Sequence, residues 1–180
     1  MRIILLGGDH ELQWKDPTGH LRKLLVDLMN KSSVDLVAEE STGLPTTVAQ
    51  RLACKLDKPW IEIDLSTAER KLIGIADALD KPRGFPIPPF DGKGFGIAYL
   101  PREDGIREEE WRRRILKQRA DVALCLCGYL HLDTFTRKLE EAGCHVEKLA
   151  LTELPWFQEL YGEYSIVEEN GKRWSEVRLH

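Results

Sequence analysis

Two histidines stand at the same distance from a glycine in two distant parts of the chain, Gly7-Gly8-Asp9-His10 and Gly128-Tyr129-Leu130-His131. Between them lie an adjacent carboxylate pair, Glu39-Glu40, a lone Asp64, and Arg107 in a charged stretch. Imidazole titrates nearest neutrality of all side chains, so two of them beside a carboxylate can serve as general bases. The same donors suit a divalent ion such as zinc, manganese or cobalt, which would lower the pKa of a bound water to about 7. On that reading His10, His131 and one of Glu39 or Glu40 hold the ion. Asp9 or the second glutamate is the general base, and Arg107 stabilises developing negative charge or fixes a glutamate. Adjacent carboxylates repel, which favours a cation, an arginine or a shared proton between them. Because strand side chains alternate faces, one glutamate of the pair is expected at the site.

These residues need elements that bring them together. Arg2 to Leu6 is an apolar run ending in Gly7-Gly8, which reads as a buried strand. Leu21, Leu24, Leu25, Leu28 and Met29 follow at helical spacing. Further strands are expected at Val34–Ala38, Trp60–Leu65, Val122–Cys127 and His145–Leu149. Helices are expected at Thr46–Leu56, at Ala68–Leu79 with Ser66 as N-cap, and at Asp133–Ala142 closed by Gly143. Strands separated by helices predict an α/β fold of three layers, a mostly parallel sheet flanked by helices. In such a sheet all strand carboxyl ends share one edge, where open α/β folds bind ligands. His10, Glu39, Glu40, Asp64 and His131 all fall there. The reading requires the first strand and Val122–Cys127 to be parallel neighbours. Each Gly-x-x-His glycine is expected to allow a tight turn at its strand exit. His20, His145 and His180 keep structural readings, and Asp64 also fits ordinary helix-start chemistry.

The stretch from Gly105 to Ile115 reads as a helix with its acids first and its bases later, a solvated face matched to the dipole. Arg107 at its start opposes the dipole, so an anionic partner is expected there. From Lys81 to Pro101 the density of proline and glycine excludes a long helix. A loop or lid is expected, with a short strand near Ile97–Leu100. Residues 151–180 form a C-terminal extension in which Ser165–Val167 and Trp174–Leu179, joined through Asn170-Gly171, predict a small hairpin.

With 180 residues the chain suits one domain. A net charge of −4 gives no general attraction to nucleic acid or anionic membrane. No apolar run approaches the roughly 20 residues of a membrane helix. The apolar opening stops at Gly7, short of a signal peptide, so a cytoplasmic protein is expected. Cys54, Cys125, Cys127 and Cys144 form no CxxC pair and are expected to be reduced and mostly buried.

Gly-x-x-His after the first strand, Glu-Glu after the second, an Arg-led helix, and a second Gly-x-x-His closing a later strand together resemble the erythromycin esterase/ChaN/TraB/Tiki superfamily. The matching residues are Gly7 and His10, Glu39 and Glu40, Arg107 with Glu108 and Trp111, and Gly128 and His131, over roughly positions 1 to 150. The resemblance implies an α/β sheet with a polar site on its carboxyl edge. Its members differ in activity. Tiki-like members are metal-dependent proteases, erythromycin esterases activate water on a histidine without needing a metal, and ChaN-like members bind haem. The expectation is therefore a hydrolase, metal-dependent or His-based, of an unidentified ester, amide or phosphoester in a small molecule or peptide. The alternative is a non-catalytic module for haem or another small anionic ligand, and a homodimer stays open. The Gly7–His10 segment, with His131-Leu132-Asp133, is also similar to the metal motifs of arginase-type enzymes, although Tyr129 stands where those carry an aspartate.

Overall fold

The computed structural model describes residues 1–41, 46–75, 98–99, 101–161, 163–169 and 172–178. Five parallel strands form the main sheet: β1 (Arg2–Gly8), β2 (Leu36–Glu39), β3 (Trp60–Glu62), β5 (Val122–Gly128) and β6 (His145–Ala150), in the order β3-β2-β5-β1-β6. A second, antiparallel sheet holds β4 (Ala98–Tyr99), β7 (Glu163–Glu169) and β8 (Lys172–Arg178). Its β7–β8 pair is the expected terminal hairpin, and β4 adds a strand within the region 97–100. Of the loop expected from Lys81 to Pro101, residues 81–97 and 100 lie outside the described residues, and Pro101 already opens a helix.

The core strands are apolar on both faces because helices cover both. Ile4, Leu6, Leu124 and Leu126 point to one side, against α2 (His20–Lys31) and α3 (Val48–Lys55). Leu21, Leu25 and Met29, four residues apart, form the buried stripe of α2. Ile3, Leu5, Cys125 and Cys127 point to the other side, where α5 (Pro101–Lys117) brings Trp111 and Ile115, and α6 (Leu132–Glu141) brings Phe135 and Leu139. Each such side chain stabilises the fold by about 1.5–3 kcal/mol when fully buried. Gly143 ends α6 as expected, at φ 81°, a left-handed conformation that a Cβ would strain. Shorter helices complete the chain: α1 (His10–Trp14), α4 (Thr67–Leu72) and α7 (Pro155–Tyr161). Of these, α4 starts from the Ser66 cap but ends at Leu72, before the expected Leu79.

What positions the site is the pairing of β1 with β5. They are parallel neighbours in register to their last residues, Gly8 opposite Gly128. From β1 the chain passes over the α2–α3 face to β2, beyond β5. From β5 it passes over the α5–α6 face to β6, beyond β1. These two connections therefore leave adjacent strands in opposite directions, and the crevice this opens lies beyond their carboxyl ends.

Candidate active site

Each Gly-x-x-His places its imidazole over that crevice. Asp9 caps α1, its carboxylate accepting from the Glu11 N–H at 2.6 Å, and so fixes the helix that His10 begins. His131 ends the single 3-10 turn that follows β5. The two frame glycines serve proximity rather than turning. A Cβ on Gly7 would come within 2.9 Å of the Leu132 Cβ, and one on Gly128 within 2.9 Å of His10 Nε2. Both glycines lie inside strands, and Gly128 has an ordinary φ of −61°. The turn expected of them gives way to a requirement for space.

Glu40 lies between the imidazoles. Its Oε1 is 3.6 Å from His10 Nε2 and 3.8 Å from His131 Nε2, while its Oε2 accepts the Gly128 N–H at 2.7 Å. Burial works against its charge, but His10, His131, Arg107 and the Gly128 N–H outweigh that and hold its pKa well below the usual carboxylate range. Glu39 faces the opposite side of the sheet. There its Oε2 accepts from Thr47 Oγ1 at 2.5 Å and from Trp60 Nε1 at 3.0 Å, and its Oε1 is buried without a hydrogen bond. Burial pushes the Glu39 carboxyl up to about 7 against those two bonds.

Arg107 is in the second turn of α5, since that helix begins at Pro101, so the dipole argument for its partner falls away. The anionic partner itself is present threefold. Nη2 donates to Glu40 Oε1 at 2.5 Å and to Asp64 Oδ2 at 2.8 Å, Nε to Asp64 Oδ1 at 3.0 Å, and Nη1 to Asp104 Oδ1 at 2.9 Å. The remaining Nη1 proton points at His131 Nε2, 3.4 Å away. All five N–H groups of the guanidinium are thereby engaged. Asp64 is fixed further by Trp111 Nε1 at 3.0 Å and by Arg70, and its pKa is lowered despite burial, chiefly by Arg107. Of the two roles expected for Arg107, fixing a glutamate is the one its bonds describe.

Three more residues complete the site, of which the sequence marks only Glu108, beside Arg107. Glu108 Oε1 lies 2.9 Å from His131 Nδ1, Asp104 binds Arg107, and Gln13 Oε1 lies 3.3 Å from His10 Nδ1. Asp104 and Glu108 are buried, in line with Trp111 and Ile115 on one face of α5. That spacing, seven residues from Asp104 to Trp111 and from Glu108 to Ile115, was the available signal. The basic run beyond them is ion-paired along its own helix, Arg112 with Glu109 and Arg113 and Arg114 with Glu110.

A zinc or manganese ion would need its donors about 2.0–2.2 Å away and free of other cations. Here the Arg107 guanidinium already holds Glu40 Oε1 and approaches His131 Nε2, and Glu39 is on the far face. His10, Glu39, Glu40 and His131 as arranged do not fit one metal shell. Among the described residues no group of three or more His, Cys, Asp or Glu side chains is spaced to hold an ion. The four cysteines are free thiols, with Cys125, Cys127 and Cys144 buried and Cys54 exposed. No helix of the described residues is long and apolar enough to cross a membrane. Compared with known proteins, the chain matches no protein family, no curated sequence and no solved structure.

Proposed function

We propose that this chain is a His-based hydrolase of the erythromycin-esterase type that acts on an uncharged or cationic carboxylic ester or amide. The observation carrying the reading is Glu40 Oε1 set 3.6 Å from His10 Nε2, with Glu40 held ionised from behind by Arg107. That separation is too long for a direct hydrogen bond and suits a water bound to both groups. His10 is the accessible member, its side chain 37% exposed, whereas His131 is buried. With Nδ1–H donated to Gln13 Oε1, His10 presents the Nε2 lone pair. The bound water gives one hydrogen to that lone pair as its oxygen adds to the carbonyl carbon. Glu40 holds the other hydrogen and stabilises the imidazolium. Collapse of the tetrahedral intermediate breaks the bond to the leaving oxygen or nitrogen, which takes the proton back from His10.

Charge narrows the bond class. Among the described residues Arg107 and Arg70 pair with Glu40, Asp64 and Asp104, and His131 with Glu108, so this described part of the network carries more carboxylates than guanidinium groups. With every Arg107 donor engaged inside the protein, a phosphoester would meet net negative charge. Esters and amides without an anionic group therefore fit better.

The test is a panel of neutral, cationic and phosphorylated esters and amides, assayed with the wild type, His10→Ala and Glu40→Gln. Turnover confined to the uncharged and cationic members, reduced by about 100-fold or more in either variant, supports the reading. A metal-dependent hydrolase is the competing reading, which would require Arg107 to leave Glu40 Oε1 and His131 Nε2. About one bound transition ion per chain, lost in His10→Ala, would favour it over the first. A sharp haem absorbance band without turnover of any ester would favour the ChaN-like binding module.

A further inference from the structure

Glu108 is a fully buried carboxylate that the proposed reaction has not used. Taking such a charge out of water costs several kcal/mol unless a partner compensates. Its partner is a ring at the candidate site. Glu108 Oε1 meets His131 Nδ1 at 2.9 Å, and the same oxygen accepts the Thr134 hydroxyl at 2.6 Å from the first turn of α6. Trp111, one turn along α5, sets an edge against the His131 ring with centroids 4.8 Å apart and planes at 66°. The ring is therefore gripped at one nitrogen and along one side.

Two contacts on opposite sides of that ring require the same protonation pattern. A carboxylate can only accept, so the nitrogen facing Glu108 carries a proton. A guanidinium can only donate, so the nitrogen facing Arg107 Nη1, at 3.4 Å, presents a lone pair. We propose that Glu108 is a positioning residue for the hydrolysis, holding the proton of His131 on Nδ1 so that Nε2 is the nitrogen that titrates beside Glu40. This rests on the hydrolase reading given above. Its consequence is a link to pH. When His131 takes a second proton, on Nε2, that N–H turns to Glu40 Oε1, the oxygen that would hold the water. Protonation of His131 thus withdraws Glu40 from the reaction. Among the described residues burial and Arg107 oppose the imidazolium, while Glu40, Glu108 and Asp104 favour it. Replacing Glu108 by a neutral group makes the second proton harder to add.

The experiment is a pair of side-chain nitrogen NMR titrations, wild type against Glu108→Gln, on protein with 15N-labelled histidine. The His131 signals are assigned by their loss in His131→Asn. The wild type is expected to show His131 in the Nδ1–H form above its pKa. The variant is expected to lose that preference and to titrate at lower pH, with native circular dichroism. On a hydrolysed ester, the acid limb of kcat against pH shifts to lower pH in Glu108→Gln, and kcat above the limb falls by about 10–100-fold, as for other partners that orient a functional histidine. If Glu108→Gln does not fold, Thr134→Val, which removes the hydroxyl that donates to Glu108 Oε1 at 2.6 Å and lies 3.2 Å from the His131 carbonyl oxygen, is expected to move the titration the same way by a smaller amount. A wild-type ring protonated on Nε2 alone, or an identical tautomer and titration in the variants, would overturn the proposal. The NMR arm needs no substrate. If it succeeds while no ester is cleaved, the hydrolase reading is what fails.

Discussion

Glu39 and Glu40 are consecutive residues with opposite acid–base behaviour, and strand alternation is the cause. Glu40 turns toward Arg107 and two imidazoles, which favour its charge, while Glu39 turns under α3, where burial outweighs its hydrogen bonds from Thr47 and Trp60. A carboxyl whose folded pKa, about 7, exceeds its unfolded value binds more protons folded than unfolded between the two. Glu39 therefore contributes no penalty below roughly pH 4.5 and weakens the fold as pH rises toward and through 7. His131, also raised, loses stability in the same direction, so the comparison must isolate Glu39. Glu39→Gln carries no charge, and its amide oxygen can still accept from Thr47 and Trp60. Between pH 5 and pH 8 the wild type is expected to lose up to about 3 kcal/mol of stability that the variant retains. Urea unfolding at the two pH values measures this, and parallel losses in both proteins would show that Glu39 is ionised at no cost.

At the scale of the elements, β1 and β5 end in glycines for the same reason, close approach, but to unlike neighbours. A Cβ on Gly7 meets the Cβ of Leu132, anchored at the start of α6, whereas a Cβ on Gly128 meets the ring of half-exposed His10, which can swing aside. Gly7→Ala is accordingly expected to cost about 1–3 kcal/mol of stability. Gly128→Ala should change the thermal midpoint little yet remove most of the hydrolytic activity by displacing His10. Thermal melts beside an assay of the best ester separate the two, and equal effects in both would contradict it. The same elements show what the sequence disclosed. Apolar runs on β1 and β5 and fourfold spacing on α2 and α3 announced strands and helices to within a few residues, because burial on one or both faces imposes those patterns. The carboxyl-edge placement of His10, Glu40 and His131 followed from parallel topology. What stayed hidden is on α5. Asp104 gets no role from the sequence, and Glu108, though matched beside Arg107, reads within a solvated charge run, because periodicity reports which face is buried only if buried residues are apolar, and here half of that face is acidic. The assignment between Glu39 and Glu40 was hidden for another reason: β2 ends at Glu39, so alternation alone does not say which of the two meets the crevice.

Across the whole molecule, the site is assembled from strands that are distant in sequence, and Arg107 is where they are tied. Through Glu40 it reaches the end of β2, through Asp64 the segment after β3, through Asp104 its own helix, and through His131 the turn after β5. Removing a buried charge whose partners remain leaves those partners uncompensated, at a cost of about 3–5 kcal/mol. Arg107→Met, close in volume and without charge, should therefore destabilise the fold by about that amount near pH 7. The pH dependence distinguishes charge from packing. In the wild type, Glu40 and Asp64 have lowered pKa values, so the stability they contribute is present above their unfolded pKa near 4 and is lost as pH falls through their folded values. In the variant Asp64 loses its largest favourable partner, so burial raises its pKa and protonation relieves the penalty, while Glu40 keeps His10, His131 and the Gly128 N–H. The gap in unfolding free energy between wild type and Arg107→Met should thus be widest near neutrality and narrow by pH 5, measured as urea midpoints at constant ionic strength. A gap that stays constant with pH would mean that Arg107 contributes through its guanidinium over the Trp111 ring, 5.0 Å from the guanidinium carbon to the ring centre, and not through its carboxylate pairs.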